Sequence, residues 1–209
     1  MQSDIMNDLN KALGDIGDIR RQMARTTEFR GYGPATLATT GVIAIVAASI
    51  QGWRVPNPAG NISNYLSVWI WTAVLCAGLT GVQMYTRTRR MHSGMSQEML
   101  HMAVEQFLPS IGAGLLTTMV LLRNVPSALW MLPGIWQVVF SLGVFSSCRF
   151  LPRPMLAAGA WYLLTGLYCI GLGDSRALSP WCMGVPFGAG QLLVAGILLF
   201  SSREAGDES

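Results

Sequence analysis

Charge is what this sequence lacks. Only 12% of its 209 residues are Asp, Glu, Lys or Arg, about half the roughly 25% usual in a soluble domain. A soluble enzyme of this length would need a far more charged surface. The net charge is only +3, so no basic face announces nucleic acid, and no nucleic-acid partner is expected. Lysine occurs once, at Lys11, and histidine twice, at His92 and His101. The Gly-x-x-x-x-Gly-Lys phosphate loop and the Gly-x-Ser-x-Gly nucleophile elbow are both missing. The four cysteines include no Cys-x-x-Cys pair, the spacing that marks a zinc site. What is abundant is apolar: 51% hydrophobic residues, with 23 glycines and a mean hydropathy of +0.40. That much apolar surface available for burial excludes disorder. A lipid-embedded chain is the class that remains.

The positions of the few charges test that class. Six stretches carry none: 31–53 (23 residues), 55–86 (32), 106–122 (17), 124–148 (25), 154–173 (20) and 177–202 (26). A spanning helix needs about 20 apolar residues, within roughly 17 to 25. Lipid offers the backbone no hydrogen-bond partner, so helices are the expected form. The period-two alternation of a membrane barrel is absent. The expected fold is an all-α integral membrane protein with six spans, about 35–53, 65–86, 103–122, 128–147, 155–173 and 180–201. A segment 1–33 precedes this membrane domain of 34–202, and a tail of 203–209 follows it. The third span rests on the shortest gap. Either Glu105 sits at the membrane surface or that helix is buried against its neighbours.

Lysine and arginine set the expected orientation. Eleven of the 14 lie in 1–30, the second and fourth connections and the tail; Arg54, Arg123 and Arg176 lie on the other side. The positive-inside rule then puts both termini in the cytoplasm. The first thirty residues hold five acids and no continuous apolar core, so no cleaved signal peptide is expected.

Residues 4–26 read as an amphipathic helix. Ile5, Leu9, Ala12, Ile16, Ile19 and Met23 fall on one face. Gly14 and Gly17 weaken it by about 1 kcal/mol each relative to alanine. Two readings are open: a helix lying on the cytoplasmic leaflet, or a docking helix that meets a partner together with Arg87, Arg89 and Arg90. Trp53, Trp69, Trp71, Trp130 and Trp181 lie near outer span ends and read as an interfacial aromatic belt. Trp136 and Trp161 lie deeper.

The second half carries a loose internal repeat. Phe107-Leu-Pro109 and Phe150-Leu-Pro152 each open a helical hairpin. An outer turn with Ala-Leu follows in each (Ala128-Leu129, Ala177-Leu178). Then come a Trp (Trp130, Trp181), a Pro (Pro133, Pro186), a lone Gln (Gln137, Gln191) and a closing Ser-Ser. Duplication of a hairpin and coincidence among apolar residues both stay open. The strings Trp130-Met-Leu-Pro-Gly-Ile-Trp-Gln137, Leu178-Ser-Pro-Trp-Cys-Met-Gly-Val-Pro-Phe-Gly-Ala-Gly-Gln191 and Phe29-Arg-Gly-Tyr-Gly-Pro34 resemble a family of bacterial multi-pass inner-membrane proteins of unknown function. The resemblance covers most of the chain loosely. It implies a bacterial inner-membrane location and carries over no activity and no catalytic residue.

Polar groups inside a membrane are the default functional candidates. Gln83, Gln137 and Gln191 are the strongest here. They serve either as interhelical glue, worth around 0.6 to 2 kcal/mol each, or as the lining of a pocket for a polar-headed ligand. Pro133 and Pro186 fall in the outer parts of spans four and six, and paired helix breaks are a pointer to a binding site. The rival is a kink with close packing, because Gly184-x-x-x-Gly188 is also a helix-contact pattern. Glu98, His101 and Glu105 share one helix face and are weak metal candidates. A bundle di-metal site needs a second Glu-x-x-His, which is missing. Cys169 and Cys182 both approach the outer face, bridged or free. No catalytic residue and no cofactor is expected.

The first functional expectation is a non-enzymatic protein that binds or transports a small, largely apolar ligand. Gln137, Gln191, Trp136, Pro133 and Pro186 would shape its site. The second is a structural or regulatory subunit that docks a protein, or a second copy, through Ile5, Leu9, Ile16, Ile19 and the Arg87–Arg90 face. The third, an enzyme acting on a lipid or quinone, is disfavoured by the scarcity of acid–base groups.

Overall fold

The computed structural model describes residues 33–91, 94–148 and 155–207, with the side chains of 87–91, 94–104 and 201–207 left undescribed. The docking helix read at 4–26, with Ile5, Leu9, Ile16 and Ile19, lies outside the described residues. So do the side chains of Arg87, Arg89, Arg90, Glu98 and His101.

The described residues are helical, with no strand among them. They form α1 (Pro34–Arg54), α2 (Ile62–Met91), α3 (Gly94–Asn124), α4 (Leu132–Ser147), α5 (Met155–Gly171) and α6 (Pro180–Asp207). Short 3-10 turns, Pro126–Met131 and Ser175–Leu178, precede α4 and α6. Five stretches are long and apolar enough to cross a membrane: Pro34–Arg54, Ile62–Thr86, Glu105–Asn124, Pro126–Ser147 and Pro180–Phe200. The sixth helix, α5, is apolar but only 17 residues long. That is about 26 Å at 1.5 Å per residue, a few ångströms under a hydrocarbon core of about 30 Å.

Proline and glycine punctuate these helices. Pro34 opens α1, where its fixed φ suits a first helical turn and its missing N–H has no intrahelical acceptor. The connection after α1 closes on itself: Gly60 N–H donates to Asn57 Oδ1 at 3.2 Å. Beyond α5 the chain reverses through Gly173 at φ +70°, a left-handed conformation that glycine adopts without strain.

The helices pack side by side in the order α2, α1, α6, α5, α4, α3, and the two end helices barely touch. The closest pair is antiparallel α1 and α6. A Cβ on Gly184 would strike the Ala48 methyl, one on Gly188 would strike Ile45, and one on Gly41 would lie 3.0 Å from the Gly188 carbonyl. Small residues on both helices let the backbones approach, as helix pairs in lipid require. Gly184 and Gly188 are thus used for packing. The α4–α5 pair meets in the same way: a Cβ on Gly134 would lie 2.6 Å from the Gly166 carbonyl, and one on Gly166 would lie 2.8 Å from that of Gly134.

Three sequence expectations change. Span four is not one α-helix over 128–147, because a 3-10 turn covers Pro126–Met131 and α4 begins at Leu132. Pro133 therefore sits in the first turn of α4 and breaks nothing. The third span is not buried against its neighbours: between Glu105 and Asn124 only Thr118 is buried, and Glu105 itself is exposed. Trp69 is not a belt residue. It is 4% exposed, while Trp53 and Trp71 are 79% and 72% exposed.

Candidate functional site: polar side chains between the helices

Polar groups in the core can be traced one by one, because each buried donor or acceptor needs a partner. Pro186 lies inside α6. It lacks the N–H that residue 182 would otherwise receive four residues on, so the Cys182 carbonyl is left without its helical donor. Gln137, on the second turn of α4, supplies the replacement. Its Nε2 donates to the Cys182 carbonyl at 2.8 Å and also approaches the Pro133 carbonyl at 3.2 Å. The Cys169 thiol lies 3.5 Å from the same Cys182 oxygen. Gln137 is wholly buried. The Pro186 carbonyl in turn accepts from Trp161 Nε1 at 2.9 Å, tying α5 to α6.

A second lock joins α1, α2 and the turn before α6. Gln51 is wholly buried. Its Nε2 donates to the Leu178 carbonyl at 2.9 Å, and its Oε1 accepts from Trp69 Nε1 at 2.7 Å. A third joins α3 to α4: Trp136 Nε1 donates to Thr118 Oγ1 at 2.8 Å, and Thr118 donates to the Gly114 carbonyl at 2.7 Å. Gln83 accepts from the Gly33 N–H at 3.4 Å and ties α2 to the start of α1.

Between these locks lies an aromatic cluster. Phe140 meets Phe107, Tyr162 and Phe187 edge-on, at centroid distances of 5.3, 4.8 and 5.5 Å. Such pairs contribute about 0.5–1.5 kcal/mol beyond their burial.

Of the five residues expected to shape one ligand pocket, Gln137 meets the Pro133 carbonyl and the carbonyl that Pro186 frees, while Gln191 and Trp136 lie elsewhere. Gln137 reaches Cys182 and Met183 on α6. Gln191 is nine residues beyond Cys182 on that helix, about 13 Å along its axis. Its Cβ faces Gly41 of α1. Trp136 points to α3, Pro133 heads α4, and Pro186 is answered by Gln137. The sequence reading missed Gln51, Tyr65 and Tyr162. Gln51 sits three residues before Arg54. A polar side chain one turn inside a span end is a usable signal.

Four buried side-chain atoms stay without a hydrogen-bond partner among the described residues: Gln106 Oε1, Gln137 Oε1, Tyr65 Oη and Tyr162 Oη. The Tyr162 hydroxyl lies where a Cβ on residue 190 would be, so Gly190 is the residue that admits it.

At the outer turn, Arg176 holds Asp174 by Nε to both carboxylate oxygens, at 2.9 and 2.8 Å. Asp174 Oδ1 also accepts from the Arg176 N–H at 2.8 Å. The side-chain bond, then the backbone bond, keeps the Asp174 carboxyl below its usual range. This pair shapes the turn. No group of three His, Cys, Asp or Glu is gathered among the described residues.

No protein family, no curated protein and no solved structure matches this chain.

Proposed function

We propose that this chain is a non-enzymatic membrane subunit that docks a transmembrane helix of a partner protein against α2 and α3. The observation that carries this reading is the open small-residue surface at the two ends of the helix row. A Cβ on Gly78 or Gly81 of α2, or on Gly112 of α3, would meet nothing within 4 Å. Gly196 of α6 is open as well, whereas Gly41, Gly134, Gly166, Gly184 and Gly188 each meet a neighbouring helix. In lipid, helix association relies on such flush surfaces rather than on apolarity. No charge occurs between Val55 and Thr86, so the occupant is an apolar helix rather than a charged segment.

The same proposal takes α5 as the sixth span, because it packs between α4 and α6, both long enough to cross. Both termini then lie on one side, and the excess of Lys and Arg makes that side cytoplasmic. The bacterial inner membrane rests on the family resemblance. The shared succession of helix, 3-10 turn and helix in α3–α4 and α5–α6 supports a duplicated hairpin, with Pro133 matching Pro180 in position.

The test is a Gly78→Leu, Gly81→Leu double variant, studied by native mass spectrometry from lipid nanodiscs. Its melting should be unchanged while the co-purifying membrane partner is lost. A partner retained at full occupancy overturns the reading. Deleting residues 1–26 separates docking in the membrane from docking through the cytoplasmic segment.

A small, largely apolar ligand between α4 and α6 is the second reading. It is supported by the unpartnered Gln137 Oε1 beside α6. Alanine at Gln137 and Gln191 that left every ligand signal intact would remove it.

A further inference from the structure

A groove opens between α1 and α6 at the point where α1 begins. Pro34, Ala35 and Ala38 form one wall, and Leu192, Gly196 and Leu199 form the other. Only apolar residues line it, and its volume is about 470 Å³. That is roughly three times a ~150 Å³ cavity that holds a benzene, so it has room for two aliphatic side chains. A Cβ on Gly196 would meet nothing within 4 Å, so a side chain can enter there. The groove lies at the end of the apolar stretch of α6, which closes at Phe200.

We propose that the amino-terminal segment of this same chain covers the groove, with the apolar face of residues 4–26 across its mouth and Ile19 and Met23 seated against Gly196 and Leu199.

The length of the segment and its point of entry select this occupant. The segment ends on the groove itself, because Pro34 both follows it and walls the groove. Residues 27–33 span at most about 25 Å when extended, so the apolar face comes down within that radius of Pro34. A segment tethered so closely meets the groove at an effective concentration on the order of millimolar. The chemistry agrees. The face of Ile16, Ile19 and Met23 carries no charge, and neither does the groove. Asp15, Asp18, Arg20, Arg21 and Arg25 lie off that face. An amphipathic helix on a membrane buries its apolar side about 5–10 Å below the headgroups, a depth that suits a groove beginning at the first residue of α1. Its small walls at Ala35, Ala38 and Gly196 admit close packing, which is what favours protein over lipid tails in such a place. A second apolar groove near Gly33 runs along α2 alone, from Val74 to the Gln83 amide. It lacks the second wall and has a polar group at its near end. The inference rests on α1 and α6 and does not depend on the docking reading at α2 and α3.

The experiment uses the full chain in nanodiscs. Met23→Cys is paired with Leu199→Cys in the groove, or with Val82→Cys on α2, beside the Gln83 that bonds Gly33 and so at the same depth. Diamide oxidises each pair, and mass spectrometry identifies the linked peptides with the native cysteines in place. Linking at Leu199→Cys should exceed linking at Val82→Cys at least tenfold, within one chain. Gly196→Leu, or Ala35→Leu at an exposed position, fills the groove. Either should lower the link at least tenfold and speed trypsin cleavage after Arg20, Arg21 and Arg25 by a similar factor. Circular dichroism and a melting curve establish that each variant folds. Equal linking at both positions, as a segment resting on lipid would give, overturns the proposal. So does trypsin cleavage unmoved by both filling substitutions, or a link found only between two chains.

Discussion

The Gln137 side-chain amide donates at 2.8 Å to the Cys182 carbonyl, the carbonyl that Pro186 leaves without a helical donor. A proline inside a membrane helix is tolerated when a neighbouring helix re-satisfies the freed backbone group. Here α4 performs that service for α6. The lone glutamine and the inner proline are two halves of one device, though they lie 49 positions apart. The device ties polar chemistry to packing.

The α1–α6 contact predicts a steric rescue. Gly184→Ala places a methyl against that of Ala48, and overpacking of this kind costs about 1–3 kcal/mol. Adding Ala48→Gly should recover most of the loss. Unfolding in mixed micelles measures both, and absence of rescue would mean that the two helices do not meet at this pair.

Gln51 and Trp69 should behave as one unit. Gln51→Leu strands a buried indole N–H and the Leu178 carbonyl, at roughly 1–3 kcal/mol for each stranded group. Adding Trp69→Phe should cost less than the sum of the singles, with a coupling of about 0.5–3 kcal/mol. Strict additivity in chemical unfolding would contradict the bond.

The outer turn predicts a small pH effect of definite sign. Folding lowers the Asp174 carboxyl because Arg176 binds it. Its contribution is therefore full above the unfolded value, about 3.9, and is lost as pH falls through the folded value. Asp174→Asn keeps an acceptor for the Arg176 N–H but loses the ion pair. The melting difference from wild type should be visible at pH 7 and vanish in strong acid. A difference of the same size at both ends of the range contradicts the assignment.

Much of the helix map was legible because charge is nearly excluded from lipid. Arg54 closes α1, Arg123 falls one residue before the end of α3, and Asp174 with Arg176 marks the turn after α5. The core face of each helix was not legible, and the reason is physical. Lipid tails are as apolar as leucine, so hydropathy cannot separate the side facing a neighbour from the side facing the membrane. Trp69 and Trp71 are two residues apart near one span end, yet only Trp71 faces outward. Glycines were the better guide: Gly184 and Gly188 did mark a contact. The pairing of Pro133 with Pro186 misled because proline's effect depends on its place in the helix. In the first turn it removes no intrahelical bond, whereas deeper inside it frees a carbonyl.

The most direct test of the account is a double-mutant cycle between Gln137 and Pro186, read as unfolding free energy in mixed micelles. Gln137→Leu alone leaves the Cys182 carbonyl only the weak Cys169 thiol donor at 3.5 Å and should cost about 1–3 kcal/mol. Pro186→Ala restores a helical N–H to that carbonyl, so in its background the same substitution should cost at least about 1 kcal/mol less. An equal cost in both backgrounds would contradict the claim that Gln137 serves the carbonyl Pro186 sets free.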